Sequence, residues 1–95
     1  MGKSVFKDDR KECCYLCGLW CKTDEHHIFE SEACRKKSDR YGLVVHLCRK
    51  CHDYIHHHPN GHDELDRLHK MGQRYYEDHI GTREEFIEEF IRSYL

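Results

Sequence analysis

"LVVHLCRKCHDYIHHH", residues 43–58, changes character twice in sixteen positions. Its first five residues, Leu43 to Leu47, have the β-branched and apolar character of a strand. A CxxC pair, Cys48 and Cys51, follows at once. The run "HDYIHHH" then opens a helix, which Pro59, Asn60 and Gly61 stop. His52 and His56 are four residues apart, so on a helix their imidazoles face the same side. Strand, thiol turn and helix in direct succession, carrying five histidines, read as a small unit built around metal ions.

The thiol turn has a counterpart upstream. Cys14 and Cys17 form a second CxxC pair, and Gly18 directly after it suits the chain reversal such a turn needs. Each pair can point two thiolates at one ion, and two pairs complete a tetrahedral zinc site. The 30 residues between Cys17 and Cys48 exceed the usual gap of a zinc ribbon, so an element is inserted between them. Cys13, Cys21 and Cys34 remain. Cys13 neighbours a ligand and Cys21 makes a CxxxC with Cys17, but the simpler reading of all three is spare thiols.

Composition agrees with a stapled fold. At 95 residues the chain is read as one domain with a thin core, and domains of this size often need a metal or disulfides. Apolar residues make up 38% and charged residues 36%, which leaves little for a large core. No stretch approaches the roughly 20 apolar residues that span a bilayer. The opening "MGKSVFKDDR" has no apolar signal region, and Phe6 stands where an acylation signal has Ser or Thr. Seven cysteines, an odd number, fit metal thiolates in a reducing compartment better than a secreted disulfide framework. The expectation is a soluble cytoplasmic protein without membrane contact. Residues 1–59 carry eleven Lys/Arg against nine Asp/Glu, and residues 60–95 carry five against nine, so the net −2 is unevenly spread. Any nucleic-acid contact belongs in the first two thirds.

The order along the chain is thiol turn, strand, loop, strand, thiol turn, helix, helix, helix. Residues 1–12 read as a ragged polar start. "HHIF" at 26–29 is a short strand, and "ESEACRKKSDRYG" at 30–42 a long loop or a loop with one helical turn. Leu65, Leu68, Met71 or Gly72, Tyr75 and Tyr76 give residues 62–79 a helical stripe. Gly81 breaks it. Thr82 and Glu85 have capping-box spacing before a last helix with Phe86, Ile87, Phe90, Ile91 and Tyr94 on one face. The expected fold is therefore α+β. A zinc-stapled hairpin-plus-helix core over 13–58 is followed by two C-terminal helices over 62–95. If the strands pair, His26 and His27 come close to His52 and His56. Such a cluster can hold a second metal and keep one histidine free as a base.

The blocks "CYLCG", "EHHI" and "LVVHLCRKCH", in that order, resemble the HNH endonucleases, the ββα-metal or His-Me finger group, over about residues 13–58. Short members with this pattern look like phage or prophage proteins. The resemblance implies DNA as substrate and cleavage to 5′-phosphate and 3′-hydroxyl ends. It implies His26 as a ligand of the catalytic metal, His27 as general base, His52 as a ligand and His56 as a further ligand. Three imidazoles favour Zn, Ni, Co or Mn over Mg, although Mg can serve weakly. The sequence departs from the family at Leu43, nine residues before His52, where members usually carry the Asn that braces the hairpin. His46 is a candidate to take over a polar role there.

Other residues have plainer alternatives. Arg35, Lys36, Lys37 and Arg40 either grip phosphates between the strands or form a solvated loop. His57, His58 and His62 flank a turn and read as solvated; His69 and His79 read as surface residues of the tail. Trp20 reads as packing rather than base stacking, and the 86–94 stripe as core or as an interface with a partner chain. The rival to a nuclease is a zinc-stapled nucleic-acid- or protein-binding module whose cutting chemistry has lapsed. With no long DNA-reading arm, specificity would come from a homodimer or a partner protein.

Overall fold

The sequence conceals one helix. The computed structural model describes residues 4–95, so the first three residues of the stretch read for a signal or an acylation site lie outside them. The elements are β1 (Asp24–His27), α1 (Glu32–Tyr41), β2 (Val44–Leu47), α2 (Arg49–His57), α3 (Gly61–His79) and α4 (Arg83–Phe90). The stretch expected as a loop thus holds α1, a ten-residue helix. No Gly or Pro interrupts residues 32–41, and Gly42 closes the helix at φ 71°, its N–H donating to the Asp39 and Ser38 carbonyls. Only Cys34 and Ser38 of α1 are buried, too faint a stripe to read as a helical period. β1 begins and ends two residues before the expected strand.

The strands pair antiparallel, with Asp24 opposite Leu47, Glu25 opposite His46, His26 opposite Val45 and His27 opposite Val44. Side chains alternate along β1. Asp24 and His26 meet His52 of α2, whereas Glu25 and His27 lie with Asp39 of α1. The bend after β1 is pinned from two sides. The Ile28 N–H donates to the Leu43 carbonyl (3.0 Å), and the Leu43 N–H donates to the Ser38 carbonyl (2.8 Å). The buried Ser38 hydroxyl accepts from the Phe29 N–H (3.1 Å) and donates to the Phe29 carbonyl (3.0 Å). Leu43 itself is fully buried, so its side chain packs while main chain and Ser38 do the bracing.

Phe29 is the centre of the core beneath the hairpin. Its ring meets Phe86 (5.2 Å), Phe90 (4.7 Å) and Tyr94 (5.4 Å). The capping box at the start of α4 is present: the Glu85 N–H donates to the Thr82 hydroxyl and the Thr82 N–H to the Glu85 carboxylate. The 86–94 stripe divides, with Phe86 and Phe90 buried and Ile87 and Ile91 exposed. α3 lies close over the end of β1 at Gly72, where a Cβ would come within 2.9 Å of Ile28 Cγ2 and Phe29 Cε2. Gly72→Ala is therefore expected to destabilise the fold by about 1–3 kcal/mol, the usual cost of overpacking a filled core. Urea unfolding measures this, and an unchanged midpoint would mean that α3 stands off further than the structure places it.

Three plain readings need correction. Residues 4–12 are not ragged. The Val5 N–H donates to the Gly42 carbonyl (2.9 Å), and Phe6 packs edge-on to Tyr75 (5.7 Å). The Asp9 carboxylate takes both the N–H of His46 (2.9 Å) and its Nδ1 (2.7 Å), which fixes the polar role of His46 on the N-terminal segment. Trp20 is 67% exposed rather than packed. His69 is half-buried rather than fully exposed: its ring is stacked on Phe29 (5.7 Å) and lies against Tyr94 (4.4 Å). His57, His58, His62 and His79 are exposed, as expected. Among the described residues no helix is long and apolar enough to cross a membrane.

Candidate metal centres

The two thiol turns converge where the chain leaves β2 for α2. The sulfurs of Cys14, Cys17, Cys48 and Cys51 all lie within 4.8 Å of one another. Cys17 Sγ and Cys48 Sγ are 3.8 Å apart, far beyond a disulfide bond and close to the edge of a zinc–thiolate tetrahedron, about 3.8 Å for bonds of about 2.3 Å. Each turn is held by an amide donating to sulfur: Cys17 N–H to Cys14 Sγ (3.5 Å) and Cys51 N–H to Cys48 Sγ (3.4 Å). Gly18, at φ 76°, completes the first reversal with its N–H on the Cys14 carbonyl (2.9 Å). Cys48 is also the N-cap of α2. Burial opposes ionisation of Cys14, but amides of Cys17, Cys48 and Leu16 outweigh it and bring that thiol down to about 7. Burial and then the neighbouring thiols push Cys51 up. Four sulfurs this close can hold a metal such as zinc. Cys13, Cys21 and Cys34 stay outside it.

A second cluster sits on the β1 side of α2. The rings of His26, His52 and His56 are 5.4, 5.6 and 5.0 Å apart, and one nitrogen from each falls within the same 4.8 Å. His26 is 2% exposed, and its Nε2 has no hydrogen-bond partner. Burial first, then the neighbouring His52 and His56, hold its pKa down to about 3, so the ring is neutral at ordinary pH. Buried polar atoms are normally paired, and an unpaired imidazole nitrogen on a ring clustered with two further imidazoles suits a cation. Asp24 Oδ2 lies 3.3 Å from His52 Nδ1 and 3.3 Å from Arg49 Nε. A carboxylate on Nδ1 fixes the ring and leaves Nε2 to bind. Glu30 Oε2 lies 3.1 Å from His56 Nε2 and 3.9 Å from His26 Nδ1. Burial pushes the Glu30 carboxyl up to about 7, against the pull of Arg35.

His27 lies apart from that trio. Its Nε2 is 3.8 Å from Glu25 Oε1 and 3.7 Å from Asp39 Oδ1. A cavity of about 300 Å³ joins the two sides, lined by Glu25, His26, His27, Glu30, Arg35 and His52. The basic run does not form one patch. Arg35 reaches the cavity, and Lys36 and Arg40 are exposed on α1. Lys37 turns the other way, its Nζ donating to the Glu89 carbonyl of α4 (2.7 Å).

Sequence reasoning brought together every cysteine and histidine of these clusters but missed the carboxylates. Asp24 was legible, since it sits two residues before His26 on the same strand face. Glu30 and Asp39 were not, because one follows the strand in coil and the other lies on the unrecognised helix. Comparison with family models, with curated proteins and with solved structures gave no match.

Proposed function

We propose that this chain is a metal-dependent endonuclease of the HNH type, nicking DNA with limited sequence specificity. The observation that carries the reading is the idle Nε2 of buried His26 beside His52 and His56, with His27 next in the chain and turned to the opposite side. The two adjacent histidines thus have separate surroundings, as a ligand and a base require. The hairpin and α2 then serve as a ββα-metal core, with zinc on the four thiolates as its staple. The motif resemblance also carries a phage or prophage setting in a cytoplasm.

The chain's own residues divide the work. His27 takes a proton from water as general base. The carboxylates of Glu25 and Asp39 face the charge that then develops on its Nε2. Arg35 holds a phosphate oxygen at the cavity wall. His26, His52 and His56 hold the second cation, for which Mn, Ni, Zn, Co or Mg are candidates, and Asp24 keeps His52 in place. When bound, that cation supplies charge stabilisation on the scissile phosphate and leaving oxygen. The products are 5′-phosphate and 3′-hydroxyl ends.

The second reading is a zinc-stapled binding module without cutting activity, and the excess of acidic over basic residues beyond position 60 favours it. Plasmid nicking with and without Mn or Ni separates the two. Nicking that needs the metal supports the enzyme, and DNA binding with no nicking in any divalent metal supports the module. The basic residues give a further expected outcome. Arg35→Ala should weaken DNA binding and lower the salt slope by about one unit, whereas Lys37→Ala should leave the slope in place. Equal slopes for wild type and Arg35→Ala would return Arg35 to the solvated surface.

A further inference from the structure

The face of β1 opposite the histidine trio carries a second set of donors. Glu25 and His27 are two residues apart on β1 and share that face, and Asp39 comes to them from α1. One atom of each, an imidazole nitrogen and two carboxylate oxygens, lies within 4.8 Å of the others. Both carboxylates face the same nitrogen: His27 Nε2 is 3.8 Å from Glu25 Oε1 and 3.7 Å from Asp39 Oδ1. Neither spacing is that of a hydrogen bond, about 2.7–3.2 Å. Bonds of about 2.0–2.2 Å to one tetrahedral ion put such donors about 3.3–3.6 Å apart, close to the observed spacings. The side chains are partly open to solvent, His27 at 21%, Glu25 at 40% and Asp39 at 36%, so small rotations close the difference. The cavity lined by Glu25 and His27 gives an ion a way in. One nitrogen with two hard oxygens suits Mn²⁺ better than three imidazoles do.

We propose that Glu25, His27 and Asp39 form a third cation site, for a divalent ion such as Mn²⁺, and that filling it takes His27 out of use as a base. The lone pair of Nε2 that accepts a proton from water is the one that binds the ion, and it cannot do both. Two neighbouring carboxylates also repel each other, and an ion between them offsets that repulsion as a protonated His27 does. The side chains stay partly hydrated, so the site fills after the thiolate and trio sites and its occupation marks an excess of metal. The loss of base function rests on the proposed nuclease reading; the cation site itself does not.

The test titrates Mn²⁺ into the full chain with zinc on its thiolates, counting free Mn²⁺ by electron paramagnetic resonance. Wild type should take up a weaker equivalent of Mn²⁺ that survives His56→Ala, a substitution that removes a donor of the trio. Glu25→Gln and Asp39→Asn, both close in shape to the native residues, should weaken that equivalent about tenfold or more, since losing a ligand costs at least what losing an outer-shell partner does. Far-UV circular dichroism verifies the fold of each variant. In the His56→Ala protein with labelled histidine, the bound Mn²⁺ should broaden the NMR signals of the His27 ring. Nicking by wild type should rise and then fall as Mn²⁺ increases. Measured against its own maximum, the fall in either carboxylate variant should need about tenfold more Mn²⁺, in step with the weakened binding. Titrations of folded Glu25→Gln and Asp39→Asn that match wild type would overturn the site, as would sharp His27 signals at Mn²⁺ saturation. Mn²⁺ bound at this site while nicking never falls would overturn the loss of base function. Mn²⁺ bound here with no nicking in any divalent metal defeats the nuclease reading and leaves the cation site standing.

Discussion

Cys48→Ser is expected to release zinc and unfold most of residues 13–58. Cys48 is buried, supplies one of the four clustered sulfurs and caps α2 by accepting the Cys51 N–H. It follows directly on β2 and precedes α2, so loss of its bond to metal uncouples strand from helix. Zinc binding by small thiolate domains is worth on the order of 10 kcal/mol, comparable with the 5–15 kcal/mol total stability of ordinary domains. The serine hydroxyl replaces neither the soft donor nor its charge. α2 also carries His52 and His56, so the histidine cluster should be lost together with the zinc. Thermal melting by circular dichroism and zinc content by mass spectrometry measure both effects. Cys34→Ser is the matched control, since Cys34 is equally buried but lies outside the sulfur cluster. A Cys48→Ser protein that melts like wild type and keeps its zinc would reject the four-thiolate assignment.

The parts of the molecule written in strong local code were legible. Two CxxC pairs mark the four sulfurs that come together and can hold one ion. The capping box of Thr82 and Glu85 declares a helix start from two residues, and α3 carries its period in large side chains. α1 fails the same test. It buries a thiol and a serine hydroxyl, and its charged residues look like a solvated loop. Missing α1 had consequences for the site. Asp39 reaches His27 only because it lies on α1, and Ser38 braces the bend at Phe29 only because it lies on the helix one residue earlier. Leu43 then has a physical account. The bracing expected of an asparagine side chain at that position comes from the Leu43 main chain and the Ser38 hydroxyl, which leaves Leu43 free to fill the core.

The N-terminal segment was misread for a related reason. Its anchors are tertiary: a backbone bond to Gly42, an aromatic contact to Tyr75 and a carboxylate on His46, none of which has a local signature. His69 was misread because a histidine on a polar helix carries no mark of the aromatic rings that will cover it. Long-range contacts of this kind become visible only once the chain is folded.

His27→Ala should abolish most cutting while both metal sites and the fold persist. Its side chain is half-exposed beside Glu25 and Asp39 and contributes to neither the sulfur nor the three-imidazole cluster. Loss of a general base costs roughly 10²–10⁴-fold in rate. Added metal should restore nothing, because metal binding is intact, whereas higher pH should restore some rate by supplying hydroxide in place of the missing base. His26→Ala should behave in the opposite way. It removes a buried nitrogen from the imidazole trio, so affinity for the second cation falls, and an excess of Mn or Ni should recover part of the nicking. His26 also fills space in the core, so the melting temperature of that variant is measured first and cutting is assayed well below it. The two substitutions are adjacent in sequence and differ only in which face of β1 they alter. Metal stoichiometry and nicking rate, followed across metal concentration and pH, therefore isolate the geometry from the composition. Metal loss in His27→Ala with metal retained in His26→Ala would reverse the two roles. Undiminished nicking in both would remove catalysis from β1 altogether and sink the mechanism assigned to this site.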